Sequence, residues 1–286
     1  MKMTARAGVI NAVMFILIIV LSCSSSLAQK PKKSSSLKNV ELCNGSDRLL
    51  PEARIEGCTA FIDAGEGSAN GFAVAHNNRG NAYSAHADYE RAIGDFVEAT
   101  KLNPNYAKAF NNLGVAYLRT GALDLALGAF EEALRLNPNY GAAFANRAAA
   151  YLKKNAYERA VHDYDQAIRL DPKLEAVWSG RCWARAVLGA LQTALEDCDM
   201  ALRSGAGNAA TYDSRALINL KMGQFSAAVD DYNSALRFAP KLASALYGRG
   251  VARAKLGDTD GSQSDILAAR RIDPGIGEAF ARYGVP

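Results

Sequence analysis

Between residues 73 and 274 the apolar side chains fall in paired runs spaced by three and four, each pair split by a short polar break. That spacing lines one face of a helix. One such pair is AKAFNNLGVAYLRT from Ala107 followed by LDLALGAFEEALRL from Leu123. Gly121 stands between the runs, a residue suited to ending a helix in the left-handed conformation. The pattern predicts a helix, a turn and a second helix. The whole unit then returns every 34 residues, from Ala73, Ala107, Gly141, Glu175, Ala209 and Ala243. A fixed period of this length marks a stacked repeat array.

Within the 34-residue frame, position 15 is Ala87, Gly121, Asn155, Gly189, Gly223 and Gly257. Prolines close the frame at Pro104, Pro138, Pro172, Pro240 and Pro274, and only Ala206 breaks that series. Alanine holds position 27 throughout and position 20 in all repeats but the last, which has Ser262. These small residues let two helices approach closely. Position 24 is Phe96, Phe130, Tyr164, Cys198, Tyr232 and Ile266, and these bulkier groups fill the remaining space.

The pattern resembles the tetratricopeptide repeat (TPR) family, with Gly80, Tyr83, Tyr89, Ala92, Phe96, Ala99 and Pro104 at its signature positions. The resemblance covers residues 73–274 and implies an all-α solenoid, a right-handed superhelix of helix-turn-helix repeats. The six full repeats are 73–106, 107–140, 141–174, 175–208, 209–242 and 243–276. A degenerate N-terminal cap with one helix, Pro51–Ala64, is expected within 41–72, and a partial C-terminal capping helix within 277–286. Cys43 would tie down an irregular stretch before the first of these. Such solenoids bind peptides or protein surfaces on their concave face.

Five repeats carry Arg at position 7 and Asp at position 23: Arg79 with Asp95, Arg147 with Asp163, Arg181 with Asp197, Arg215 with Asp231 and Arg249 with Asp265. The second repeat has Leu113 and Ala129 instead, losing both partners together. The two positions are symmetric about the turn. They are expected to form structural ion pairs across each hairpin, and the joint loss argues against a ligand-binding row of arginines.

The start of the chain is of a different kind. Lys2 and Arg6 precede the apolar run Val9–Leu21, too short to span a bilayer comfortably, and Ser26-Leu27-Ala28 follows. Residues 1–28 are therefore expected to be a secretory signal peptide. A lipoprotein signal with Cys23 lipidated is the competing reading, although Leu21 is bulky for it; an uncleaved segment would act as an anchor. Residues 29–40 are a Lys/Ser linker expected to be disordered.

Leader and linker also explain the net charge of +4. Two basic charges lie in the leader and four in the linker (Lys30, Lys32, Lys33, Lys38), leaving residues 41–286 at −2. The folded part therefore gives no support for nucleic-acid binding. Cleavage would leave Cys43, Cys58, Cys182 and Cys198, an even count that suggests disulfides in an exported, periplasmic or secreted protein. Sequence proximity favours Cys43–Cys58 and Cys182–Cys198; the alternative for the second pair is two small buried thiols.

No catalytic set, metal site or cofactor motif emerges. The three histidines lack partners at motif spacing, Gly65–Gly71 has no strand before it, and Asp258-Thr259-Asp260-Gly261 falls on a predicted turn. Function is expected on the concave face, which in the family is lined by positions 2, 5, 9 and 12 of the first helix. The candidates there are Asn77, Asn81, Lys108, Asn111, Trp183, Asp213, Leu217 and Tyr247. Trp183 is the expected anchor for a bound protein or extended peptide. The family's carboxylate clamp is unsupported: Asn81 and Asn112 match its asparagines, but Asn77, Ala142 and Asn146 stand where it needs cations. The alternative to a non-enzymatic adaptor is an envelope protein that self-associates, as a homodimer, through an incompletely capped C-terminal end.

Overall fold

The computed structural model describes residues 32–45, 50–205 and 207–285. The expected signal peptide, with Cys23, and the start of the expected linker lie outside them. Regular structure among the described residues is entirely helical. The helices pair as α1 (Lys32–Asn44) with α2 (Pro51–Ala64), α3 (Ala69–Ala85) with α4 (Tyr89–Leu102), and α5 (Ala107–Thr120) with α6 (Leu123–Leu136). There follow α7 (Gly141–Lys153) with α8 (Tyr157–Leu170), α9 (Glu175–Val187) with α10 (Leu191–Arg203), and α11 (Ala209–Lys221) with α12 (Phe225–Phe238). The last pair is α13 (Ala243–Lys255) with α14 (Thr259–Ile272), and α15 (Ile276–Arg282) stands alone at the end.

The turns follow from local chemistry. Position 15 is left-handed in every repeat: Gly121, Gly189, Gly223 and Gly257, but also Asn155 at φ 56° and Ala87 at φ 57°. At position 31 an Asn or Asp side chain folds over the following proline. Asn103, Asn137, Asp171 and Asp273 each accept from the backbone N–H two residues on, at 2.9–3.2 Å. This local turn leads the chain into the next hairpin.

Side chains sixteen residues apart meet across each hairpin. The five arginines at position 7 each form a two-pronged bond with the Asp at position 23, as Arg147 does with Asp163 at 2.7 and 2.9 Å. In the second repeat Leu113 and Ala129 are buried at these positions instead. Positions 8 and 24 form a second facing pair. Phe96 and Phe130 lie over Gly80 and Gly114, where a Cβ on Gly80 would sit 2.7 Å from the Phe96 ring. Tyr164 and Tyr232 instead reach into the next repeat, over Gly180 and Gly248. In the fourth repeat the pair is a disulfide, Cys182–Cys198, and Cys43–Cys58 is the other. Closing a loop of this size contributes about 3 kcal/mol in the chain-entropy account.

The guanidinium groups also connect neighbouring repeats, which the hairpin symmetry alone does not indicate. Arg181 Nη1 donates to Asp165 at 2.5 Å, Arg215 Nη1 to Asp199 at 2.8 Å and Arg249 Nη1 to Asn233 at 2.8 Å, all in the preceding repeat.

The expectations for the N-terminal segment need correction. Residues 32–40, read as a disordered linker, belong to α1, and so does Cys43 in place of an irregular stretch. The N-terminal cap is thus a hairpin rather than one helix. Its Lys/Ser composition disfavours order, but packing overrides it: α1 lies directly over the bare backbone of Gly57, leaving no room for a Cβ, and is bonded through Cys43 to α2. At the other end α15 does not prolong the stack. It turns back toward α13, burying Ile276 and Phe280, and leaves Leu267 and Ile272 of α14 exposed at 55% and 48%.

Two stability predictions follow from these contacts. Arg147→Ala strands Asp163, whose side chain is 2% exposed, and should cost about 3–5 kcal/mol in urea unfolding. Arg147→Leu with Asp163→Ala, which copies the second repeat, should recover most of that loss. Ala87→Gly should stabilise by about 1 kcal/mol, because it relieves a left-handed alanine.

Candidate functional site

The odd-numbered helices form the inner face. Among α3 to α13 each odd-numbered helix packs on the next odd one, whereas the even-numbered helices touch only their chain neighbours. The face divides into two halves of different chemistry.

Asparagines dominate the N-terminal half, but most are spent on each other. Asn112 Nδ2 donates to Asn77 Oδ1 at 2.9 Å and to Asn81 Oδ1 at 3.0 Å, and Asn146 Nδ2 donates to Asn111 Oδ1 at 3.0 Å. Asn77 and Asn111 are buried at 0% and 6% exposure. Position 5 faces the next helix of the row, so these two amides hold repeats together and do not offer hydrogen bonds to a peptide. Asn81 remains half-buried and Lys108 exposed.

In the C-terminal half α15 lies on the inner face. Phe280 packs on Tyr247 with ring centroids 4.8 Å apart, and Tyr283 meets Trp183 edge-on at 5.1 Å. Leu217 and Tyr247, expected to be open, are buried in the core that also takes Ile276, Phe280 and Val285. Trp183 is half-buried against Tyr283. The sequence pattern places only a partial capping helix here and leaves open which face it covers. The spacing of Ile276, Phe280 and Tyr283, one stripe of a short helix, was the available signal.

Between α15 and the helices α7, α9, α11 and α13 lies a cavity of about 500 Å³. Its walls include Ser179, Trp183, Asp213, Ser244, Phe280 and Tyr283. Asp213 Oδ2 accepts from Ser244 Oγ at 2.7 Å, while Oδ1 is buried and meets no donor. Desolvation pushes the Asp213 carboxyl up to about 6. The Tyr232 hydroxyl is buried without a partner too, and burial together with the Asp213 charge raises it well above the ordinary phenol range. Among the described residues there is no cluster of metal-ligating side chains, and no helix is long and apolar enough to cross a membrane.

Stacked hairpins with a continuous inner face define an all-α solenoid scaffold. Tetratricopeptide repeat models match residues 77–141 and 141–174, and a TPR repeat model matches residues 217–257. The chain belongs to the tetratricopeptide repeat family. Several solved structures share the fold. PilF of Pseudomonas aeruginosa is 20% identical with a TM-score of 0.61, over 73% of this chain and 96% of that one. A tetratricopeptide repeat protein from Parabacteroides merdae is 16% identical with a TM-score of 0.61, over 88% and 98%. YrrB, described as a TPR protein with an unusual peptide-binding site, is 18% identical with a TM-score of 0.52, over 66% and 98%. At these identities the likeness is one of fold. No curated protein matches the chain in sequence.

The Asp213 carboxyl sets a pH dependence. The folded state holds its proton up to about pH 6 and the unfolded chain releases it near 3.8, so this group favours folding at low pH and that contribution is lost as pH rises through 6. Asp213→Asn should therefore gain stability over the wild type by about 2 kcal/mol between pH 4 and pH 7.5. Urea unfolding at both pH values measures it, and a difference independent of pH would contradict it.

Proposed function

We propose that this protein is a non-enzymatic scaffold of the bacterial envelope that holds a peptide or a segment of a partner protein on its inner face, centred on Trp183. Tetratricopeptide repeats are generally interaction modules, which supports the class. One observation carries the choice of region: the C-terminal half of the face already accepts a short helical segment, α15, through apolar side chains at Ile276, Phe280 and Tyr283. A partner segment with aromatic or aliphatic side chains at the same spacing would use the same contacts, the helix-in-groove mode of recognition. Two disulfides support export, since such bonds persist in oxidising compartments. A second reading, self-association through α14, rests on exposed Leu267 and Ile272, and a concentration-dependent dimer mass in sedimentation would favour it.

Capture from an envelope extract by the wild type, Trp183→Ala and Tyr283→Ala tests the first reading. Trp183→Ala should lower capture of the specific partner by about tenfold or more, as loss of an aromatic anchor does. Tyr283→Ala uncovers Trp183 and should raise it. Equal capture by all three would place the contact outside this face.

A further inference from the structure

We infer that α15 has two seats: the inner face that it covers here, and the end of α14, where it stacks as the first helix of a seventh repeat. Moving to the outer seat frees the inner face. Release of α15 by a bound partner segment rests on the scaffold reading; the second seat does not.

The repeat junctions are the first ground. Where two repeats stack, position 25 of one meets position 7 of the next. At three junctions this is the bridge from Arg181 to Asp165, from Arg215 to Asp199 and from Arg249 to Asn233. In the same places Glu131 faces Arg147 and Asp63 faces Arg79, near enough for each guanidinium to feel the charge. Between the first and second repeats both sides are apolar, and Val97 packs against the cluster that holds Leu113. The chemistry of the two sides thus matches at every junction of the stack.

On the same grid Leu267 is position 25 of the sixth repeat and Tyr283 is position 7 of a seventh. This last pair matches too, apolar with aromatic, yet it is unmade. Tyr283 lies against Trp183, and Leu267 is left 55% exposed. Other residues of the segment keep the frame. Phe280 is at position 4, as Phe110 and Phe144 are, and Gly284 is at position 8, as Gly80, Gly114 and Gly250 are. The segment carries the marks of a stacking helix while it occupies another place.

The backbone shows where the two paths part. At four earlier exits position 34 is non-helical and precedes the first helix: Tyr106, Tyr140, Leu174 and Leu242 have ψ between 77° and 105°. At the last exit position 34 is Ile276, already the first residue of α15, after Gly275 at ψ 0°. These two residues, just past Pro274, are the hinge. One substitution explains why α15 rests inward. Position 28, apolar at Leu134, Ile168, Leu202 and Leu236, is Arg270 in α14. A cation there weakens the outer seat, whereas the inner face offers Tyr247 and Trp183 to Phe280 and Tyr283. A segment that takes over those inner contacts shifts α15 outward, and the outer seat returns part of the apolar burial lost.

Disulfide trapping in the full chain, with its native disulfides intact, tests the second seat. Leu267→Cys with Tyr283→Cys puts two thiols at the junction positions. Under copper phenanthroline the bond should close within one chain about tenfold faster than in Ser264→Cys with Tyr283→Cys, whose exposed Ser264 lies off the facing row of α14. Peptide mapping and non-reducing mass identify the bond. Equal rates in the two pairs, or a bond formed only between chains, would overturn the inference. Leu267→Glu with native Tyr283 is the second measurement. It alters an exposed side chain and should leave Tm in place, yet it should lower capture from an envelope extract about threefold or more, because the open form becomes rarer. Unchanged capture would overturn release through the outer seat. Trapping involves no partner, so the two readings fail separately. An outer bond without Trp183-dependent capture keeps the second seat and removes the scaffold reading. Trp183-dependent capture without the outer bond removes the second seat and leaves the scaffold reading intact.

Discussion

The register in which the two helices of each hairpin face one another governs this molecule, because side chains sixteen residues apart must meet across every turn. A bidentate Arg–Asp pair tolerates no slip: sliding one helix by a residue leaves a buried carboxylate unmatched. The same register puts Phe96 over Gly80 and joins Cys182 to Cys198. Each guanidinium in the later repeats also holds an acceptor of the preceding one, so hairpin register and stacking register are coupled through one side chain. The second repeat dispenses with the ion pair, burying Leu113 and Ala129 in one cluster, and keeps the register through Phe130 over Gly114. Charge therefore serves geometry here more than it serves net stability.

The fold was legible in the sequence because a repeat array states its rules six times. A departure such as Ala87 at the left-handed turn position is outvoted by its counterparts and adopts the same conformation. The ends of the array were harder, since no neighbour on the same grid instructs them. Composition spoke for disorder in residues 32–40, yet Gly57 and the Cys43–Cys58 bond hold them as a helix. The candidate site was only half legible. The inner-face positions could be named, but not which would be covered: Asn77 and Asn111 are consumed by the next repeat, and Tyr247 and Leu217 by α15. Both effects are contacts between distant parts of the chain: a local pattern can show an apolar stripe such as Ile276, Phe280 and Tyr283, but not what it covers.

The inner face consequently carries two chemistries. Toward the N-terminus, neutral amides bridge the helices and leave few groups to spare. Toward the C-terminus, aromatic rings surround a carboxylate whose second oxygen finds no donor. A buried carboxyl with one unpaired oxygen costs stability, and desolvation raises its pKa accordingly.

The disulfide in the fourth repeat has a consequence for how the molecule yields. A solenoid is close to a one-dimensional chain of coupled units, and it parts where a unit or a junction is weakest. The fourth repeat has a cystine where its neighbours have an aromatic knob, and its exit lacks the proline turn of the others, with Ser204-Gly205 in place. Its cohesion is therefore covalent where theirs is packed. Under oxidising conditions it is a rivet at mid-span. Under reducing conditions its hairpin is left with packing alone, and α15, which reaches back across it to Trp183, becomes the tie that spans the mid-point.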